Sequence, residues 1–141
     1  MTIVLFIGQL LFAALFIASG MSHFAKLEAM TGYAQYKKLP AAKLGVMASG
    51  LFFLVGGILI VIGTYVDFGA LLIAITLVLA AVIFHNFWKE TDANTKMQEQ
   101  IAFNKDISLA GAALILVALV ASGAVEGADL LVNIGSISLF K

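Results

Sequence analysis

Four long apolar runs, separated by two lysine-bearing stretches, limit this chain's folding choices more than any other feature. Seven of the eight lysines lie between Lys26 and Lys43 or between Lys89 and Lys105, and the sequence around and between those stretches is almost wholly apolar. About 20 apolar residues in a helix cross the hydrocarbon core of a bilayer. Backbone in lipid must satisfy its own hydrogen bonds, which leaves helices as the natural spanning element. The runs predict spans at about 2–22, 42–65, 68–88 and 105–125, joined by an interfacial loop at 23–41 and a polar loop at 89–104, with a tail at 126–141. The expected fold class is all-α: one integral membrane domain, an antiparallel four-helix bundle with a short interfacial helix between spans 1 and 2.

Composition agrees. The chain is 62% hydrophobic and 11% charged, against about 25% charged in soluble domains. Zero formal net charge gives no case for nucleic acid as a partner, and arginine is absent. The lack of cysteine excludes thiolate catalysis, disulfide exchange and cysteine-ligated metal within the chain. Four-helix thiol oxidases are excluded on the same ground.

The first span lacks a basic leader and reads as retained rather than as a signal peptide. Its 3–18 segment has eleven Ile, Val, Leu or Phe residues, worth roughly −3 to −7 kcal/mol on an insertion scale. Ala14, Ala18 and Ser22 form a small-residue stripe on which another helix can pack. In the first loop, Phe24, Leu27, Met30, Tyr33 and Tyr36 recur every three residues between lysines, the pattern of a surface helix with tyrosines at headgroup depth. Gly32 weakens that helix, and Pro40 fits the start of the second span. The second span is glycine-rich, which permits close backbone approach in a bilayer. A turn around Asp67 is short enough to make spans 2 and 3 antiparallel neighbours. Thr95 and Gln98 match a capping box, so the helix of span 4 is expected to start near Thr95. The tail is too short and polar for a fifth span and is expected to lie in the outer interface or against a partner.

Both lysine stretches fall on one side of a four-span chain. The positive-inside rule makes loops 23–43 and 89–105 cytoplasmic and both termini external, in what is expected to be a prokaryotic cytoplasmic membrane.

The distinctive polar residues collect at that same level: His23, then His85, Asn86 and Trp88, then Asn104, Lys105 and Asp106. Trp, Lys and His at a boundary are ordinary interfacial anchors. The sharper alternative is a headgroup pocket for a quinone or a lipid built on His85, Trp88, Lys105 and Asp106. His85 and Trp88, three apart, share a helix face; His85 can donate to a carbonyl and relay protons near neutral pH. Lys105 can stabilise a reduced oxygen, Asp106 can hold His85 or Lys105, and Trp88 can cover a ring. Lys105 and Asp106 are adjacent, so at most one points into the bundle. No metal is expected: two boundary histidines are too few ligands for zinc and poorly placed for haem. Spans 2 and 3 hold no interior charge, and span 1 offers only Gln9, which argues against a proton-coupled exporter.

These residues resemble the DoxX-like family of small four-helix membrane proteins over about 10–121. The resemblance rests on Ala18-Ser19-Gly20-Met21, Gly56-Gly57-Ile58-Leu59-Ile60, His85-Asn86-Phe87-Trp88, Phe103-Asn104-Lys105-Asp106 and the run from Leu109 to Leu114. Asp106 stands where the family commonly has Asn, and Ser49, Gly50 and Leu51 stand where many members have a Glu. Some members are similar to a subunit of thiosulfate:quinone oxidoreductase, and others to partners of membrane redox or stress-response assemblies. The resemblance implies an accessory subunit of a redox-associated membrane complex, non-catalytic by itself and mediating assembly or stability. The alternatives are a quinone-interacting redox subunit, part of a quinone-linked oxidoreductase, and a small transporter or lipid-binding protein. Expected partners are the bilayer and other membrane subunits or a second copy.

Overall fold

The structure, a computed structural model, describes residues 2–125 and Phe140. It is all-helical. Four long apolar helices, α1 (Thr2–Ala25), α3 (Ala42–Ile62), α4 (Val66–Phe84) and α5 (Ala93–Ala121), pack as a bundle. The short helix α2 (Leu27–Tyr36) lies between the first two. Along the chain α1 packs on α3, α3 on α4 and α4 on α5, while α2 rests on α3. The core draws on all four long helices, with Ala13 and Phe16 of α1, Phe53 of α3, Ile73 of α4 and Ala110 and Ala113 of α5.

Glycine decides how close the helices come. A Cβ on Gly20 would lie 2.7 Å from the Gly50 carbonyl oxygen, so α1 and α3 touch backbone to backbone there. The small-residue stripe expected to mediate packing is not the one used: Ala14 and Ala18 are exposed, and contact runs through Ala13, Phe16 and Gly20. The stripe lies one residue out of phase because the larger Phe16 faces the core. Gln9 is buried, and its Nε2 donates to the Ile60 carbonyl.

Three boundaries differ from expectation. Asp67 lies in the first turn of α4, not in a loop, and is fully buried; the positive end of the helix favours a carboxylate there. Its oxygens accept from the Phe68 N–H at 2.9 Å and the Phe140 N–H at 3.0 Å. Second, Asp92 caps α5, not Thr95: its carboxylate accepts from the Thr95 N–H at 2.8 Å and Oγ1 at 2.9 Å. A carboxylate one turn upstream makes both bonds at once, so the helix starts earlier. Third, α4 stops at Phe84, before His85 and Trp88. Apart from Phe140, the interfacial tail at 126–141 lies outside the described residues.

At 1.5 Å per residue, the 29 residues of α5 span about 44 Å, against about 30 Å of hydrocarbon. Counted back from Ala121, the core takes about 20 residues. Asp106 then lies just inside the membrane and Glu99 outside it.

Candidate functional site

The chain leaves α4 through a tight kink. Asn86 sits at φ −79°, ψ 62°, and the Phe87 N–H donates to the His85 carbonyl at 2.9 Å. This is an inverse γ-turn. Asn86 Nδ2 donates back to the Ile83 carbonyl at 3.2 Å, which satisfies one acceptor that the helix end leaves free. The kink swings His85 toward α5 and carries Phe87, Trp88 and Lys89 into a 3₁₀ turn.

His85 therefore does not share a helix with Trp88. Its Nδ1 lies 2.8 Å from Glu99 Oε2, and its Nε2 lies 3.5 Å from Asp106 Oδ2. A neutral ring donates toward one carboxylate only; a protonated ring donates toward both. Glu99 also accepts from Tyr33 Oη at 3.1 Å, and Tyr33 stacks on Phe84 with ring centres 6.1 Å apart. Residues from α2, the end of α4 and α5 thus form one polar chain: Tyr33, Glu99, His85, Asp106. Lys105 is at its edge, with Nζ 3.8 Å from Asp106 Oδ1 and the side chain largely exposed. Of that adjacent pair, Asp106 points inward.

A second contact fastens α2 over the kink. Lys37 Nζ donates to Asn86 Oδ1 at 3.0 Å and to Glu90 Oε1 at 3.1 Å, and its side chain is only 6% exposed. Burial works against its charge, but the bond to Glu90 and the nearby Tyr33, Glu99 and Glu90 oxygens outweigh it and raise its pKa. Burial likewise pushes the Glu99 carboxyl up. The hydrogen bonds from His85 and Tyr33 and the charges of His85 and Lys37 outweigh it and hold Glu99 below the ordinary value. Burial, followed by the bond to Glu99, raises Tyr33.

Beside this chain lies a cavity of 680 Å³, within the usual range of small-molecule sites. Phe16, Phe53, Leu77 and Leu109 make its apolar interior; His85, Asp106, Lys105, Tyr33, His23 and Lys26 bring polar groups to its wall. His23 donates from Nδ1 to the Ser19 carbonyl at 2.7 Å and meets Phe53 edge-on, which leaves Nε2 for other partners.

Of the four residues singled out from sequence, His85, Lys105 and Asp106 meet at this cavity. Trp88 does not line it: it packs edge-on against Phe87 and Phe103, with ring centres 5.2 and 5.7 Å away, on the flank of the bundle. Sequence reasoning missed Glu99 and Tyr33. The available signal was spacing: Glu99 and Asp106 are seven apart and share a face of the helix expected from Thr95.

The DoxX family model matches residues 4–86, more than half of the chain, and the protein belongs to that family. The match ends beside His85 and Asn86, so Lys105 and Asp106 lie outside it. No curated protein and no solved structure matches the chain.

Proposed function

We propose that this DoxX-family protein is a quinone-binding subunit of a membrane redox assembly, non-catalytic on its own and supplied with electrons by a partner subunit. The reading rests on one juxtaposition: an apolar cavity at membrane depth, with the Glu99–His85–Asp106 chain in and behind its wall. A quinone needs a dry slot for its ring, donors for its carbonyls and a way to exchange protons with water. The cavity interior supplies the first; the Lys105 ammonium, and the Nε2–H of a protonated His85 turned from Asp106 at 3.5 Å toward the ligand, supply the second. For the third, Glu99 lies outside the hydrocarbon and Asp106 inside it, and His85 bridges them through its two ring nitrogens. Reduction to the quinol takes two electrons from the partner and two protons through this chain. The lysine-rich end is the cytoplasmic one in this reading, so protons are drawn from that side.

The test is equilibrium binding of a tail-less benzoquinone to the full chain in lipid nanodiscs. Wild-type protein should bind it, and His85→Ala should bind at least about tenfold more weakly, the scale of one hydrogen bond in a dry site. Absence of binding to wild type, or unchanged binding by His85→Ala, would sink the proposal. The partner requirement has its own check. Purification in mild detergent should carry a second polypeptide, and a chain that runs alone counts against assembly.

A further inference from the structure

The cavity has a mouth on the flank of the bundle. At the far end α3 and α4 meet too closely for any side chain between them. A Cβ on Gly56 would lie 2.7 Å from the Gly69 carbonyl oxygen, and one on Gly69 would lie 2.9 Å from that of Gly56. Toward the lysine-rich end the same helices stand on the cavity wall, Ala48 and Phe52 from α3 and Ala80 and Ile83 from α4. Two helices pinned at one end and parted at the other form a wedge.

Phe52, Ile75 and Leu79 line the cavity yet are 40%, 50% and 54% exposed. A side chain that faces both a cavity and the outside marks an opening. This edge carries no charge, and its depth along α3 and α4 places it in the hydrocarbon. A second opening lies between α1 and α5, where Leu15 also lines the cavity and is 48% exposed; it differs because Lys26, at the start of α2, and Lys105 stand above it and their ammonium groups belong in water.

We propose that the α3–α4 cleft is a side entrance from the lipid and the seat of a single hydrocarbon tail carried by the headgroup ligand, an inference that rests on the quinone reading above. Three features select this occupant. The cleft is apolar along its length and continuous with the polar wall where the head sits. Ala48 and Ala80 present small side chains on its two walls. The Gly56–Gly69 contact stops the chain from running deeper, so a long tail must turn outward past Phe52 and Leu79 into the bilayer.

The experiment compares two probes, a tail-less benzoquinone and the same ring with an isoprenoid tail, on the full chain in nanodiscs. Ala80→Trp and Ala48→Trp plug the cleft from opposite walls; Leu15→Trp places the same bulk at the α1–α5 side. Both cleft variants should bind the tailed probe at least about tenfold more weakly, a difference of about 1.4 kcal/mol, and bind the tail-less probe as wild type does. Leu15→Trp should bind both unchanged. Retention of the tailed probe by both cleft variants overturns the entrance, as does its selective loss in Leu15→Trp. Loss of both probes from both cleft variants also counts against it, because the bulk then acts on the headgroup wall. Failure of wild type to bind either probe refutes the headgroup reading itself.

Discussion

Replacing Glu99 with glutamine tests whether one carboxylate joins α2, the end of α4 and α5. Glu99 accepts from Tyr33 Oη at 3.1 Å and lies 2.8 Å from His85 Nδ1, and its side chain is 17% exposed. A hydrogen bond to a charged group is worth about 1.5–3 kcal/mol net. Glutamine keeps the shape and one acceptor oxygen, so part of the Tyr33 bond survives while the charged contact with His85 is lost. The expected loss is about 1–3 kcal/mol, read as a shifted midpoint when the protein is unfolded reversibly by SDS in mixed micelles at pH 7. The pH dependence is the sharper measurement. Glu99 is held below its ordinary value in the folded protein, so between the folded and unfolded values the unfolded chain binds more protons and stability rises with pH. Its contribution is complete above the ordinary carboxylate value of about 4.3 and disappears as pH falls through the lower folded value. Wild type should therefore lose stability more steeply than Glu99→Gln as pH drops from about 5 to about 3. Parallel acid limbs for the two proteins would refute the pairing.

Gly20→Val should destabilise the bundle by at least about 1–3 kcal/mol, because its Cβ would lie 2.7 Å from the Gly50 carbonyl oxygen and neither backbone can yield; unfolding in mixed micelles measures it, and a neutral result would deny the close α1–α3 contact. Lys37→Met should cost about 1–3 kcal/mol by leaving Asn86 Oδ1 and Glu90 without their donor, with faster proteolysis between 36 and 42; wild-type stability would mean that α2 is held by packing alone. Asp92→Ala should speed hydrogen exchange at the Thr95 amide and leave the rest of α5 protected, since that amide donates to Asp92. The chain has no cysteine, so topology is open to single-cysteine labelling: Lys96→Cys should resist an impermeant maleimide added outside, and a cysteine after Lys141 should react. The reverse pattern would invert the orientation.

The spans were legible because lipid imposes a length and a composition that few sequences meet by chance. Helix ends were less so, since local hydrogen bonds set them. Asp92 competes with Thr95 for the start of α5, and the Asn86 γ-turn ends α4 although apolar and aromatic residues continue past it. The same errors hid part of the site. A helix through Trp88 pairs His85 with Trp88, whereas the kink turns His85 toward α5 and sends Trp88 to Phe103. The helix expected from Thr95 already stacks Glu99 and Asp106 two turns apart; what conceals Glu99 is the early stop of α4, which turns His85 toward it. Tyr33 was placed at headgroup depth for its amphipathic ring, and only α2 folding over the bundle end brings its hydroxyl to Glu99.

The position of this polar chain follows from two physical demands that conflict elsewhere in the bundle. Ionisable groups in hydrocarbon need partners or water, while close helix packing in lipid needs small residues and leaves no room for either. At the far end the glycine contacts of α3 with α4 shut that region to larger groups. At the lysine-rich end α4 stops early and α5 continues beyond the bilayer, so carboxylates at Glu99 and Asp106 reach His85 from two depths on one rigid helix. Wedge and polar chain are thus two results of the same asymmetry. If widening the closed end gave a second ligand site, for instance by shortening Ile73 to Ala beside Gly56, packing alone would account for where ligands bind. Binding confined to the His85 end in that variant would show that the polar chain is required.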